Sequence, residues 1–308
     1  LRGCAALGAI ATMLAAQSLL AGRVHGATGS ALEALVPRPS TARIAALGFD
    51  ALLADYYWLR AVQIVGGERR SMDPHVPALT RLAELTVGLD PWVDHPYRFA
   101  AVWLNTRPEA VRAANRMLER GIAYHPTDWR NRFYLSFNHF FYLGDAAAAA
   151  RELEPAVGMS GAPAYLGRLL ARLRAETGGL EIAEAYLLEL VKQTDDAQRR
   201  RQYELAVLEI EIERRARVLD AARAAYRERT GHDIARVEDL VQGPDAVLRA
   251  LPDLPDGSEW ILDPASNEIV SSLLRRRYLV YIHPSDQARR EAWVREAQAR
   301  RGAGGGGS

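Results

Sequence analysis

In 308 residues the chain has one lysine and one cysteine. Every other Lys or Arg position holds arginine. Lys192 stands in "LELVKQTDD" with no glycine beside it. A phosphate-cradling P-loop needs a lysine next to its glycines, so ATPases and GTPases of that class are excluded. A single cysteine, Cys4, cannot close an internal disulfide. Charge of one sign is also scarce: the net charge is +1, so nothing draws the whole chain to nucleic acid, and no nucleic-acid partner is expected. The seven histidines form no HExxH and have no cysteine partners, which speaks against zinc. "GMSGA" at 158–162 lacks the glycine spacing and the preceding strand of a nucleophile elbow. No Gly-x-Gly-x-x-Gly follows a strand. Paired carboxylates occur only in helical charge runs. The expectation is a non-enzyme with no catalytic residue, no metal and no cofactor.

One stretch has no charge at all. Residues 4–21, "CAALGAIATMLAAQSLLA", are eighteen uncharged residues, about 27 Å long as a helix, against a hydrocarbon core of about 30 Å. Two readings compete, a signal peptide and a retained anchor; residues 1–22 are taken as a transmembrane anchor, with Leu7, Ile10, Met13, Leu14, Leu19 and Leu20 as its apolar body and small residues that allow close helix packing. A short anchor before a folded domain points to a bacterial inner-membrane protein with a single pass and a periplasmic soluble part. Residues 23–40, with Gly, Ser and Pro, read as a linker.

From Thr41 the apolar residues recur in steps of three and four: Ile44, Leu47, Ala51, Ala54, Trp58, Ala61 and Val65. Further helices are expected near Val76–Leu89, from Tyr97 to Asn105, and from Pro108 to a stop at His125-Pro126. Pro91 and Pro126 are 35 residues apart, and apolar residues match at equal offsets around them: Leu89 with Tyr124, Val87 with Ile122, Leu82 with Met117, Phe99 with Tyr134. A helix pair repeated at about 34 residues is the length of a tetratricopeptide repeat.

"RFYLSFNHFFYLGDAAAAARELEPAV", residues 132–157, packs four of the six phenylalanines before a Gly-Asp turn and five alanines. This resembles a tetratricopeptide repeat (TPR). With the turn at Gly144-Asp145, Ala149, Leu153 and Ala156 stand at the family's small, large, small positions. Ala114, Leu118 and Gly121 precede them at the same spacing, and Ala183 and Leu187 follow. The similarity covers roughly 45–195. It implies helix pairs in which large rings on one helix fill the space that alanines leave on the next.

Residues 196–230 read as one long helix completing the repeats, with Leu205, Leu208, Ile212 and Leu219 as its buried stripe. The repeats themselves occupy 41–195. Residues 231–301 form a small α/β region. In it "EWIL" and "EIVS" flank an Asp-Pro-Ala-Ser-Asn turn as a β-hairpin, and Asp253, Asp256 and Asp263 are read as turn and cap residues rather than calcium ligands. This order of elements is similar to the C-terminal half of type II secretion pseudopilins. A basic helix follows; Arg275, Arg276, Arg277, Arg289 and Arg290 form its charge asymmetry, which suits anionic lipid headgroups or an acidic protein surface. Residues 302–308 are a Gly-rich tail.

The fold class expected is mainly α: a TPR-like helical-hairpin solenoid with an N-terminal transmembrane helix and a small α/β tail. The function expected is a membrane-anchored scaffold, an accessory or assembly subunit that stabilises a larger membrane protein complex. The alternative is a chaperone-like adaptor in pilus or protein-secretion assembly. The partners are protein subunits of that complex and the bilayer. Tyr57, Trp58, Arg60, Trp103, Trp129 and Arg130, aromatic and arginine residues of the kind that dominate interfaces, are the expected partner-binding residues.

Overall fold

The helical pattern that begins at Thr41 is broken once. Leu47 and Gly48 take left-handed backbone, φ 51° and 91°, so the run splits into α1 (Pro39–Ala46) and α2 (Asp50–Gly67). In this computed structural model the described residues are 33–67, 73–105, 107–280, 282, 286–288 and 290–296. They fall into two compact units, Leu1–Gly144 with Arg289–Ser308, and Asp145–Ala288.

In the first unit α3 (Val76–Leu89), α4 (His95–Trp103), α5 (Pro108–Tyr124) and α6 (Trp129–Phe137) follow α2, and a π-helical turn (Asn138–Tyr142) extends α6. Each helix packs on the next, and α3 with α5 and α4 with α6 also touch. That pattern is tandem helix-pair packing. Prolines open α3, α4 and α5 in their first turn, where the missing N–H costs no hydrogen bond. The core joins Val36, Ala54, Ala61, Leu79, Leu85, Tyr97 and Met117. Tyr97 is fully buried and its hydroxyl donates to the Pro91 carbonyl at 2.9 Å; burial pushes its phenol up to about 12. Gly121 on α5 lies against that ring, and a Cβ there would sit 2.8 Å from Tyr97 Cγ.

The second unit comprises α7 (Ala146–Val157), α8 (Tyr165–Gly178), α9 (Leu180–Gln193) and α10 (Ala197–Thr230), packed in succession with α8 also on α10. Asp145 and Asp196 accept from the first free amides of α7 and α10, and Gly231, φ 76°, closes α10. A 3₁₀ turn (Val237–Leu240) and an antiparallel hairpin, β1 (Trp260–Leu262) and β2 (Ile269–Ser271), lean on α10. The hairpin register pairs Trp260 with Ser271 and Leu262 with Ile269. Ile269 and Trp260 are buried with Leu219, Tyr226 and Leu240. The pivot of this unit is Glu213, 4% exposed. It accepts from Arg277 at 2.8 and 3.0 Å, from Arg217 at 3.0 Å and from the Tyr278 amide at 3.1 Å. Burial alone would raise its pKa; these bonds outweigh burial and hold the carboxyl below its ordinary range.

The positions matched to the repeat family, Ala114, Leu118, Ala149, Leu153, Ala156, Ala183 and Leu187, are all buried. The repeat-like packing within each unit is consistent with a TPR-like solenoid. The membrane-anchored form of the fold is corrected. Among the described residues no helix is long and apolar enough to cross a membrane. α2 has eighteen residues but carries Asp50, Asp55 and Arg60, and the 34 residues of α10 are studded with arginine and glutamate. The expected anchor (Leu7, Ile10, Met13, Leu14, Leu19 and Leu20) lies outside the described residues. With the spanning helix go the bilayer as partner, the inner-membrane and periplasmic placement, and the role in a membrane complex. The pilus or secretion adaptor, which rested on the tail's likeness to pseudopilins, is dropped with them.

Two smaller expectations also change. Leu205, read as part of the buried stripe of α10, is 59% exposed; Tyr203, Ala206 and Ile210 are buried in its place. Phe137 and Phe141 keep a common face and stack at 5.2 Å, but across the π-helical turn Phe140 and Phe141 are buried while Phe137 is 40% exposed.

Candidate protein-interaction surface

The first helices of successive pairs in the first unit, α2, α4 and α6, carry the aromatic residues singled out in the sequence. Trp58 on α2 meets Phe99 of α4 edge-on, with centroids 4.9 Å apart, and His95 at 4.6 Å. Phe99 lies 6.3 Å from Trp103, which is 37% exposed. On α6, Arg130 lies over the Trp129 ring at 4.8 Å, and Trp129 is 6.3 Å from Phe133. α4 and α6 are tied by Asp128, which receives Arg98 at 3.0 Å and Arg130 at 3.1 Å; Arg98 also reaches Asp94 at 2.7 Å. Burial opposes ionisation of Asp94, and the Arg98 guanidinium more than offsets it, so its carboxyl stays low.

Trp58, Trp103, Trp129 and Arg130 therefore stand along one run of first helices. Arg60 is half-buried on α2. Tyr57 turns the other way: it packs on the core of the unit, and burial first, then Tyr56, raises its phenol. Sequence reasoning missed His95, Arg98 and Phe99. Phe99 was visible as a repeat-matched position, but nothing in the sequence showed that Trp58 reaches it from another helix pair.

A second omission lies at the end of this run. Asn105, two residues past Trp103, donates to the Tyr142 hydroxyl at 2.9 Å. Tyr142 in turn takes Trp293 of the C-terminal helical stretch 290–296, at 4.5 Å, and Arg290 lies over Phe140 at 4.7 Å. The same stretch brings Val294 so close to Gly144, φ 64°, that a Cβ there would lie 2.7 Å from Val294 Cγ1. This surface thus already holds one helix, by a tryptophan and an arginine.

Among the described residues of the basic tail, two arginines are paired with carboxylates of α10. Arg276 pairs with Glu209 at 2.8 Å; Arg277 is held by Glu213 and by Asp220, also at 2.8 Å. Arg290 is spent on Phe140, Arg275 is exposed, and Arg289 lies outside the described residues. The lipid partner falls with the spanning helix, and of these arginines Arg277 is committed to internal carboxylates. The carboxylates are similarly engaged. Asp233 is held well below the ordinary range by Arg223 and then Arg227. Asp263 accepts from the Ser266 amide and hydroxyl, and Asp256 from Ser258. A cavity of about 10 Å³ beside Glu213, lined by Glu209, Trp260 and Tyr278, has room for one water.

No family model, no curated protein and no solved structure matches the chain.

Proposed function

We propose that the chain is a non-enzymatic, helix-rich protein–protein interaction module, and that the ring row on α2, α4 and α6 receives a helix of its partner. The observation that carries this is the seating of Arg290 and Trp293 on Phe140 and Tyr142. It is an internal example of the ligand the row suits, a helix presenting tryptophan and arginine. Trp58, Phe99 and Trp103 continue the same chemistry with rings that are partly open. Half-buried aromatic residues are the kind that dominate binding energy. The non-enzymatic part of the reading rests on the missing catalytic motifs and on carboxylates engaged in ion pairs and turns.

The test is selection of helical peptides from a displayed library on the intact chain. Binders rich in Trp and Arg are expected. Their affinity should fall at least about thirtyfold, about 2 kcal/mol, in Trp58→Ala/Trp103→Ala with the melting temperature monitored alongside. Trp92→Ala, which alters an exposed tryptophan outside the row, should leave binding intact. Equal loss in both variants, or no enriched peptide, refutes the assignment.

A further inference from the structure

A second apolar surface lies on another side of α2. Phe49, whose carbonyl accepts the first hydrogen bond of the helix, is 69% exposed, Leu52 68%, Tyr56 54% and Leu59 58%. Gln63, also exposed, follows them. The steps are three, four, three, four. That is the seam of a two-helix coiled coil, with Phe49, Tyr56 and Gln63 at its a positions and Leu52 and Leu59 at d. Ala54 and Ala61, both at f, are buried in the core of the unit, so the seam points away from it. Trp58 stands at c, turned from the seam toward Phe99 and His95. What covers the seam is therefore a separate question from the proposed function. Two charges flank it. Asp55, at g, is exposed and Arg60, at e, is half-buried, and neither makes an ion pair among the described residues.

We propose that α2 pairs with α2 of a second copy of this chain, side by side and parallel, about a two-fold axis. The charges set the orientation. In a parallel pair, g of one helix meets e of the other five residues further on. Asp55 of each copy then meets Arg60 of the other, twice by symmetry. An antiparallel pair brings g to g and e to e, which sets Asp55 against Asp55 and Arg60 against Arg60. The size fits as well. At about 200 Å² for a fully exposed residue of this kind, the four apolar seam residues and Val62 leave roughly 600 Å² open. That is about the most a monomer exposes in one apolar patch. Ile44 and Leu47, at the corner before α2, add roughly 300 Å². A stable dimer buries about 800 Å² of each partner. Two heptads are too short to make a coiled coil by themselves. Here α2 is already folded against α3, so pairing carries no cost of helix formation.

The test is sedimentation equilibrium of the full chain over a concentration series. A dimer is expected, with a dissociation constant in the micromolar range or below. Leu52→Glu/Leu59→Glu should raise that constant at least about a hundredfold. Leu205→Glu, at an exposed leucine of α10, should leave it unchanged. Asp55→Arg and Arg60→Asp should each weaken the dimer at least about fivefold by placing like charges together. Mixed in equal amounts, these two variants should pair with each other, because each supplies the charge the other lacks. The double swap Asp55→Arg/Arg60→Asp should restore the affinity of the unaltered chain, which a variant damaged in folding would not do. Trp58→Ala/Trp103→Ala, the pair that tests the ring row, should leave the dimer intact, so failure of one reading is told from failure of the other. A chain that stays monomeric up to about 100 μM, association indifferent to the two glutamates, or single charge variants as tight as the unaltered chain would each overturn the proposal. So would a double swap no tighter than its parents.

Discussion

Glu213 shows how a single side chain holds a region in place. It sits on α10, nearly buried, and four donors converge on it. Arg277, 10% exposed, has Asp220 as its other carboxylate. Removing one member of a buried ion pair leaves the other uncompensated, at a cost of about 3–5 kcal/mol. Glu213→Ala should lower the unfolding free energy by about that much in urea titrations. Gly121 acts through its size. A methyl there would meet Tyr97 and Asn131, so Gly121→Ala is expected to cost about 1–3 kcal/mol by overpacking, read as a lower melting temperature. Neither role was legible in the sequence. Glu213 stood in a run of alternating Glu and Arg that reads as a solvated face, and only the return of residues 276–278 onto α10 sets it apart from its neighbours.

At the scale of elements much could be read in advance. α3 was expected at Val76–Leu89, α5 at Pro108 up to His125-Pro126, and the hairpin around the Asp-Pro-Ala-Ser-Asn turn, because prolines, caps and periodicity act locally. Caps remain testable element by element. The Asp145 carboxylate accepts from the Ala148 amide at 2.9 Å, and Asp145→Ala should cost about 1 kcal/mol through fraying of α7, visible as faster amide exchange in its first turn. The break between α1 and α2 was missed because Leu47 adopts left-handed backbone, which its type disfavours. The π-helical turn was missed because a one-residue shift in a run of rings leaves no mark in composition.

Four carboxylates of the second unit share a direction. Glu213, Asp233, Asp256 and Asp263 all lie below their ordinary range. For Glu213 and Asp256 burial opposes this and hydrogen bonds outweigh it; for Asp233 the Arg223 bond leads, and for Asp263 the Ser266 amide. Each carboxyl is more acidic folded than unfolded. The unfolded chain therefore binds more protons as acid is added, and the stability these groups contribute, complete near pH 7, is lost below about pH 5. Urea midpoints should fall between pH 6 and pH 4. Glu213→Gln, which removes one titrating group, should show a shallower dependence; a midpoint flat across that interval is the contrary result.

Local chemistry alone settled the mainly helical class, the pairing of helices at a spacing near 34 residues, the positions of small and large residues between them, and the exclusion of a P-loop, because each depends on neighbours in the chain. It misplaced function where function depends on distant contact. Arginines that looked free are bound to carboxylates more than sixty residues away. Trp58 meets Phe99 and His95 only because α2 and α4, some forty residues apart in the chain, come together. The apolar face of α2 became evident only once the core had chosen its opposite side. Burial is a property of packed elements, and no count along the chain can say which side of an apolar helix the rest of the protein will cover.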